Sequence, residues 1–168
     1  MNKIPIIVIG GPTASGKTAL SIELAKLYDT EIISCDSMQI YKYMNIGKAK
    51  PDMKERDGII HHMIDIIEPN EPYSVADFVR CAHKITEDIN NKGKVPVAVG
   101  GTGLYINSLV NDVDFREDDG DPELRAELEE IEREKGIDYL YDMLKSFDEA
   151  SAERIHKNNK RRVIRAIE

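Results

Sequence analysis

Residues 4–18 read "IPIIVIGGPTASGKT", and this stretch decides the architecture. Ile6, Ile7, Val8 and Ile9 form a β-branched run of strand length, and Gly10 and Gly11 end it. From there every fixed position of G-x-x-x-x-G-K-[ST] is filled by Gly11, Pro12, Thr13, Ala14, Ser15, Gly16, Lys17 and Thr18. Glycine lets the backbone curl until successive N–H groups converge, and a helix opening at this point adds the positive end of its dipole. Lys17 then brings a full charge to a terminal phosphate, and the Thr18 hydroxyl suits Mg²⁺. A strand, this loop and a helix together specify a ligand carrying a diphosphate. They leave open which one.

Outward from the loop, strands and helices alternate. Leu20, Leu24, Leu27 and Tyr28 follow helical spacing and give the next helix its expected apolar face. "TEIISC" reads as a second strand, "HHMIDII" as a third ending near Glu68 and Pro69, and "VPVAVGG" as a fourth. The clearest helix is "YSVADFVRCAHKITEDINNKG", with Ser74 and Asp77 as a capping box. Its apolar face is Val75, Phe78, Val79, Ala82, Ile85 and Ile89, and Gly93 is its stop. "TGLYINSLV" opens another helix. This alternation predicts an α/β fold, a P-loop NTPase-like parallel sheet with helices on both faces, over residues 1–112. After the polar link "DVDFREDDGD" the texture turns helical. Asp121 caps a helix opened by Pro122 and closed by Gly136, and "IDYLYDMLKSF", "DEASAERI" and "RRVIRAIE" continue the pattern. Residues 113–168 are therefore expected to form a helical insertion domain. The last of these segments ends inside an amphipathic helix with no stop signal, so the expectation is a truncated piece of a longer protein.

Composition narrows the setting. The chain has 168 residues, 41% of them hydrophobic and 32% charged, as in a globular domain. No apolar run reaches the ~20 residues a membrane span requires, and the N-terminal run feeds the glycine loop instead of a secretory cleavage site. Cys35 and Cys81 are the only cysteines, without metal-ligand spacing, which points to free thiols in a cytoplasmic setting. The net charge is −8, unfavourable overall for nucleic acid, yet residues 156–165 hold Lys157, Lys160, Arg161, Arg162 and Arg165 without an acid. From charge alone that stripe is either a solvated helix face or a phosphate-binding surface.

Two further features bear on chemistry. Phosphohydrolases with this loop place an aspartate at the end of an apolar strand to reach Mg²⁺. Here "VPVAVGGTG" ends on Gly100, Gly101 and Thr102, so hydrolysis is disfavoured, although Asp65 of "HHMID" is a candidate replacement. The second strand ends in "CDSMQIY", presenting the carboxylate of Asp36, the hydroxyl of Ser37 and the amide of Gln39 at its tip. On a parallel sheet these strand ends share an edge with the phosphate loop, so Asp36 lies beside the ligand as a base or a metal ligand, and less simply as a cap.

Taken together, "GPTASGKT", "DSMQIYKYMNIGKAKP", "HHMIDIIEPNEPYSVADF" and "VGGTGLYI" resemble the tRNA dimethylallyltransferase family, the bacterial-type isopentenyl-tRNA transferases. The second motif, Asp36 to Pro51, is the specific one; the first is generic. The resemblance implies transfer of a dimethylallyl group from dimethylallyl diphosphate to N6 of the adenine 3′ of the anticodon, position 37, in tRNAs reading codons that begin with U. It implies Mg²⁺ as cofactor, tRNA through its anticodon stem-loop as partner, and a monomer. Nucleotide or ATP binding is what the loop by itself would suggest; here it holds the isoprenoid diphosphate. Lys17, Thr102 and Asp36 become the catalytic residues, Lys17 at the leaving diphosphate and Asp36 as the base for the adenine amine. Thr18 becomes the metal-binding residue. Asp36, Ser37, Met38, Gln39 and Thr102 fall on the stretches that contact tRNA. So do Arg125 of "DPELR" and Arg161, Arg162, Val163, Ile164 and Arg165 of "NNKRRVIRAIE". Two departures from the family pattern are Lys157, where proline is common, and Asn159, where aspartate is common. A P-loop small-molecule kinase and a non-catalytic diphosphate-binding fragment are the alternative readings.

Overall fold

The computed structural model describes residues 4–45, 50–111 and 121–168. The polar link over 112–120 and residues 46–49 of the Asp36–Pro51 motif lie outside the described residues. The chain divides into two compact units, Met1–Asp114 and Phe115–Glu168.

The first unit is built on four parallel strands, β1 (Ile7–Gly10), β2 (Ile32–Ser34), β3 (His61–His62) and β4 (Val97–Gly100), in the order β1-β4-β2-β3. Helix α1 (Lys17–Leu27) follows β1, α2 (Val75–Asn91) connects β3 to β4, and α3 (Gly103–Val110) follows β4. This is the α/β, P-loop NTPase-like arrangement expected from the alternation. Strand periodicity separates the two faces. Ile7, Ile9, Val97, Val99 and Ile32 cluster with Ile22 and Ala25 of α1. On the other face Gly10 lies against Ile106 of α3. There Phe78 of α2 stacks on Tyr105 of α3 with ring centroids 4.0 Å apart.

Two expectations change. The leucine stripe of α1 is only partly its packed face: Leu24 packs against the core, but Leu20, Leu27 and Tyr28 are more than half exposed, whereas Ser21, Ile22 and Ala25 are buried. Small Ser21 and Ala25 let the helix approach the sheet closely, and the Ser21 hydroxyl is satisfied by donating to Thr18 O at 2.8 Å. The "HHMIDII" strand is only two residues long. Met63 and Asp65 adopt positive φ and turn the chain, and pairing resumes as one bridge between Tyr41 and Ile67. For α2 the capping box between Ser74 and Asp77 is present on both sides, and Gly93, at φ +76, lies just beyond the helix end.

At the start of β2 a buried carboxylate anchors two elements. Glu31 Oε1 accepts from Lys92 Nζ at 2.6 Å, and its Oε2 lies 2.7 Å from His62 Nε2. Burial pushes the Glu31 carboxyl up, but the hydrogen bonds from Lys92 and His62 outweigh it and hold it below its ordinary 4.5. A depressed folded-state value means the stabilisation is complete above pH 4.5 and is lost as pH falls through the folded value.

The second unit is helical: α4 (Pro122–Lys135), α5 (Ile137–Phe147), α6 (Glu149–Arg154) and α7 (Lys160–Ile167). Asp121 caps α4 by accepting from the Glu123 and Leu124 amides. Leu128, Leu140, Leu144, Ala152, Val163 and Ile164 form its buried core.

Glu31→Gln should destabilise the first unit by about 1–2 kcal/mol, since two charge-assisted hydrogen bonds are lost but Lys92 is half exposed. Thermal melts across the acidic range should show the gap between wild type and variant closing as pH drops below 4.5.

Candidate active site

The ends of β1, β2 and β4 lie at one edge of the sheet, and a cavity of about 610 Å³ opens there, within the size range of small-molecule sites. Residues Thr13 to Thr18 form one wall. Ala14 and Gly16 take positive φ (+62° and +82°), so the loop backbone curls in the way a phosphate-cradling loop requires. The loop start is tied to the β4 end by Gly11 N–H donating to Gly100 O at 3.4 Å. Gly11 and Pro12 form the stem behind the lining residues, and the Lys17 ammonium lies over the loop, donating to Pro12 O and, at 3.4 Å, to Ser15 Oγ.

Opposite the loop stands the β2 tip. Asp36, Met38 and Gln39 line the cavity. Asp36 Oδ1 accepts the Met38 N–H at 2.9 Å, an Asx-type turn that holds the carboxylate in one orientation. Ser34 Oγ donates to Gln39 Oε1 at 2.8 Å, which fixes how the Gln39 amide is turned. Cys35, between these groups, is fully buried, and burial pushes its thiol up to about 12, so it stays protonated and inert.

The third wall is the β4 turn. Gly100 and Gly101 line the cavity, while Thr102 and Ser37 brace it from outside the lining. Ser37 N–H donates to Thr102 Oγ1 at 3.0 Å, Thr102 Oγ1 donates to Ser37 Oγ at 3.3 Å, and Thr102 N–H donates to Cys35 O at 3.2 Å. Thr102 stands at the N-cap of α3 without capping it, because its hydroxyl is spent on the β2 tip. A Cβ on Gly100 would lie 2.1 Å from Cys35 O, so only glycine permits this approach.

Ile22, Ile64 and Glu55 also line the cavity without having been singled out in the sequence, and so do Pro51, the last residue of the Asp36–Pro51 motif, and His61, which with His62 offers at most a pair of possible metal ligands on opposite faces of a strand. His61 pairs in register with Ile32, so strand alternation puts it on the α1 face, but that register is not visible in the sequence. Its Nδ1 lies 2.9 Å from Ile59 O, and burial pulls it below the usual histidine value, leaving a neutral imidazole in the wall. Asp65, the alternative metal acid, is bound by Lys50 at 2.6 Å. Among the described residues no three His, Cys, Asp or Glu side chains converge as a metal cage. Thr18 lines the cavity at the loop's end. This fits Mg²⁺, which favours substrate phosphates, waters and one or two protein oxygens over an all-protein site.

In the helical unit the predicted RNA-contacting segment divides. Val163 and Ile164 are buried in the core, the amphipathic period of α7 pointing them inward. Arg161 and Arg162 are exposed on the same helix. Arg165 donates to Glu168 at 3.1 Å, and Arg125 grips Glu168 in a fork, Nε at 2.6 Å and Nη2 at 2.8 Å. Arg125 therefore joins α4 to the end of α7. Lys157 and Lys160 are paired with Asp138 and Glu132. Asn159, where the family commonly has aspartate, still caps α7 by accepting from Arg162 N–H at 3.3 Å. No helix among the described residues is long and apolar enough to cross a membrane.

Comparison with known proteins gives a consistent result. A profile described as IPP transferase matches residues 39–168, and one described as isopentenyl transferase matches residues 4–65. The chain is 55% identical over its whole length to a tRNA dimethylallyltransferase of Clostridioides difficile (strain 630), covering 54% of that protein. It is 56% identical to one of Acetivibrio thermocellus over 97% of the chain and 52% of the relative. It thus spans about half the length of the curated relatives it matches. Among solved structures, the tRNA isopentenylpyrophosphate transferase of Bacillus halodurans superposes with a TM-score of 0.67 at 45% identity, over 99% of this chain and 55% of that one. A eukaryotic dimethylallyltransferase described as acting on tRNA superposes with a TM-score of 0.83 at 35% identity, over 97% and 40%.

Gly100→Ala should cost about 2–3 kcal/mol or prevent folding, because the displaced neighbour is backbone and cannot rotate away. A melting temperature within about 2 °C of wild type would show that the β2 and β4 ends need no such contact.

Proposed function

The chain belongs to the IPP transferase family, and on that premise we propose that it carries the donor-binding and catalytic part of a tRNA dimethylallyltransferase. The reaction moves the dimethylallyl group of dimethylallyl diphosphate to N6 of the adenine 3′ of the anticodon, position 37, in tRNAs reading codons that begin with U. The observation that supports this most is the convergence of the phosphate loop, Asp36 and the β4 turn on one cavity.

The donor has a multiply anionic head and an apolar tail. The cavity offers matching walls: the loop from Thr13 to Thr18 on one side, and Ile22, Ile64, Val99 and Met38 elsewhere in the lining. Breaking the allylic C–O bond builds charge on the departing diphosphate. Lys17 and the converging loop N–H groups stabilise that charge as it develops. Thr18 would offer its hydroxyl to Mg²⁺ alongside the phosphates, and the ion would supply further neutralisation of the leaving group. The adenine amine is a weak nucleophile that must shed a proton as the C–N bond forms. Asp36, oriented by Met38 N–H, accepts that proton. Thr102 holds the tip by its bonds to Ser37, so its contribution is to keep Asp36 in register with the donor.

Since the amine is buried in a stacked anticodon loop, the base must be extruded to react. Met38 and Gln39 line the cavity at the level of Asp36 and are the side chains that would hold it. Exposed Arg161 and Arg162 supply phosphate contacts in the helical unit. The kinase alternative loses ground on the lining, because an acceptor alcohol would call for polar walls where Ile22, Ile64 and Val99 stand.

The test is label transfer from dimethylallyl diphosphate to unmodified tRNA with Mg²⁺, using this chain and the same sequence extended to the length of its relatives. The extended protein should transfer label; phosphorylation of a small acceptor by ATP, with no label transfer, would instead establish the kinase. Asp36→Asn should lower the transfer rate by about 10²–10⁴-fold with donor affinity retained, whereas Lys17→Met should weaken donor binding itself.

A further inference from the structure

Lys50 is a lysine whose side chain is only 5% exposed. Its ammonium has three N–H groups and three acceptors: Tyr41 O, Asn45 Oδ1 at 3.3 Å and Asp65 Oδ1 at 2.6 Å. The partners come from two separate stretches. Tyr41 and Asn45 follow the β2 tip, and Asp65 is the left-handed turn residue that ends the β3 segment.

The Asp65 turn is itself stitched to the tip. Asp65 N–H donates to Gln39 O at 3.0 Å, and Ile66 N–H donates to Ile40 O at 2.8 Å. The loop from Asp36 to Gln39 is thus held at both ends. Thr102 grips its start through Ser37, and the Lys50–Asp65 pair grips its exit through Gln39 and Tyr41. Nothing in the phosphate loop takes part in this second clamp. A buried ammonium left without an acceptor is costly, so loss of one member must open the exit.

We propose that Lys50 is a positioning residue: with Asp65 it fixes the exit of the Asp36–Gln39 loop, and through it the direction in which the Asp36 carboxylate faces the cavity. This rests on the reading of Asp36 as the base. Lys50 touches no substrate. It acts by holding the tip to the tolerance that proton transfer demands, where a displacement of ~1 Å costs up to ~10²-fold.

The experiment uses a full-length protein carrying this sequence, with dimethylallyl diphosphate and an anticodon stem-loop RNA. Lys50→Met keeps the aliphatic stem and removes every N–H, and Asp65→Asn keeps the shape and removes the charge, serving also where the first variant fails to fold. Each should lower kcat about 10–100-fold while the KM for dimethylallyl diphosphate stays within about twofold. In an Asp36→Asn background, Lys50→Met should add less than about a twofold further loss, because both changes act on one proton transfer. Unchanged kcat, an equal loss in both backgrounds, or a parallel rise in donor KM would overturn the proposal. Hydrogen exchange reports independently of turnover. The Met38 and Gln39 amides should lose protection in both variants while α1 keeps its own, and unaltered exchange at the tip would refute the clamp even if the assigned reaction proved wrong.

Discussion

The backbone of Gly100 lies against the carbonyl of Cys35, and the geometry of the cavity depends on that contact. No side chain fits between them: the missing Cβ would stand 2.1 Å from a backbone oxygen that is itself held by the Thr102 N–H. The approach lets Thr102 N–H reach Cys35 O and lets the Thr102 hydroxyl reach Ser37. It also places Gly100 O where Gly11 N–H can donate to it. One close backbone contact thus joins the phosphate loop, the Asp36 tip and the β4 turn. Chemistry that needs an anion cradle and a base within a few ångströms needs this junction first.

From that junction outward the polar groups are assigned to holding positions. Thr102 does not cap its helix, and Ser34 turns the Gln39 amide. Asp36 gives one oxygen to a backbone N–H and keeps the acceptor capacity of the other. Cys35 is kept neutral by burial, so its thiol is unreactive. The helical unit uses its charges differently. Most of its basic stripe is paired internally, and Arg125 serves as a strut between α4 and the end of α7. Arg161 and Arg162 are exposed on α7.

What could be read from the chain alone was read best where one residue type is required by local geometry. The loop glycines, Lys17 and Thr18 follow from the motif, the Ser74–Asp77 capping box from spacing, and Gly93 and Gly136 from the ends of their helices. The reading failed where apolar spacing had two interpretations. On α1 the leucines repeat at helical period, yet Ser21 and Ala25 face the sheet, because close packing there rewards small side chains over apolar ones. Val163 and Ile164 fell on a segment named for RNA contact, but helical period turns both into the core. Lys50 lies within the Asp36–Pro51 motif and His61 within the third strand, but neither the bonds of Lys50 to Tyr41, Asn45 and Asp65 nor the pairing of His61 with Ile32 can be read from those stretches.

The sequence by itself determined the element order, the phosphate loop and the polar tip after β2, because these depend on backbone freedom, capping and hydrophobic period over a few residues. Tertiary structure decided which groups meet. The order β1-β4-β2-β3 sets β4 between two strands that are distant in sequence, and so brings Thr102 to Ser37 across 65 residues. It also let Lys50 close its three bonds and His61 enter the cavity wall. Register and strand order are properties of the assembled sheet, fixed by how both faces are covered, and no short stretch of the chain encodes them.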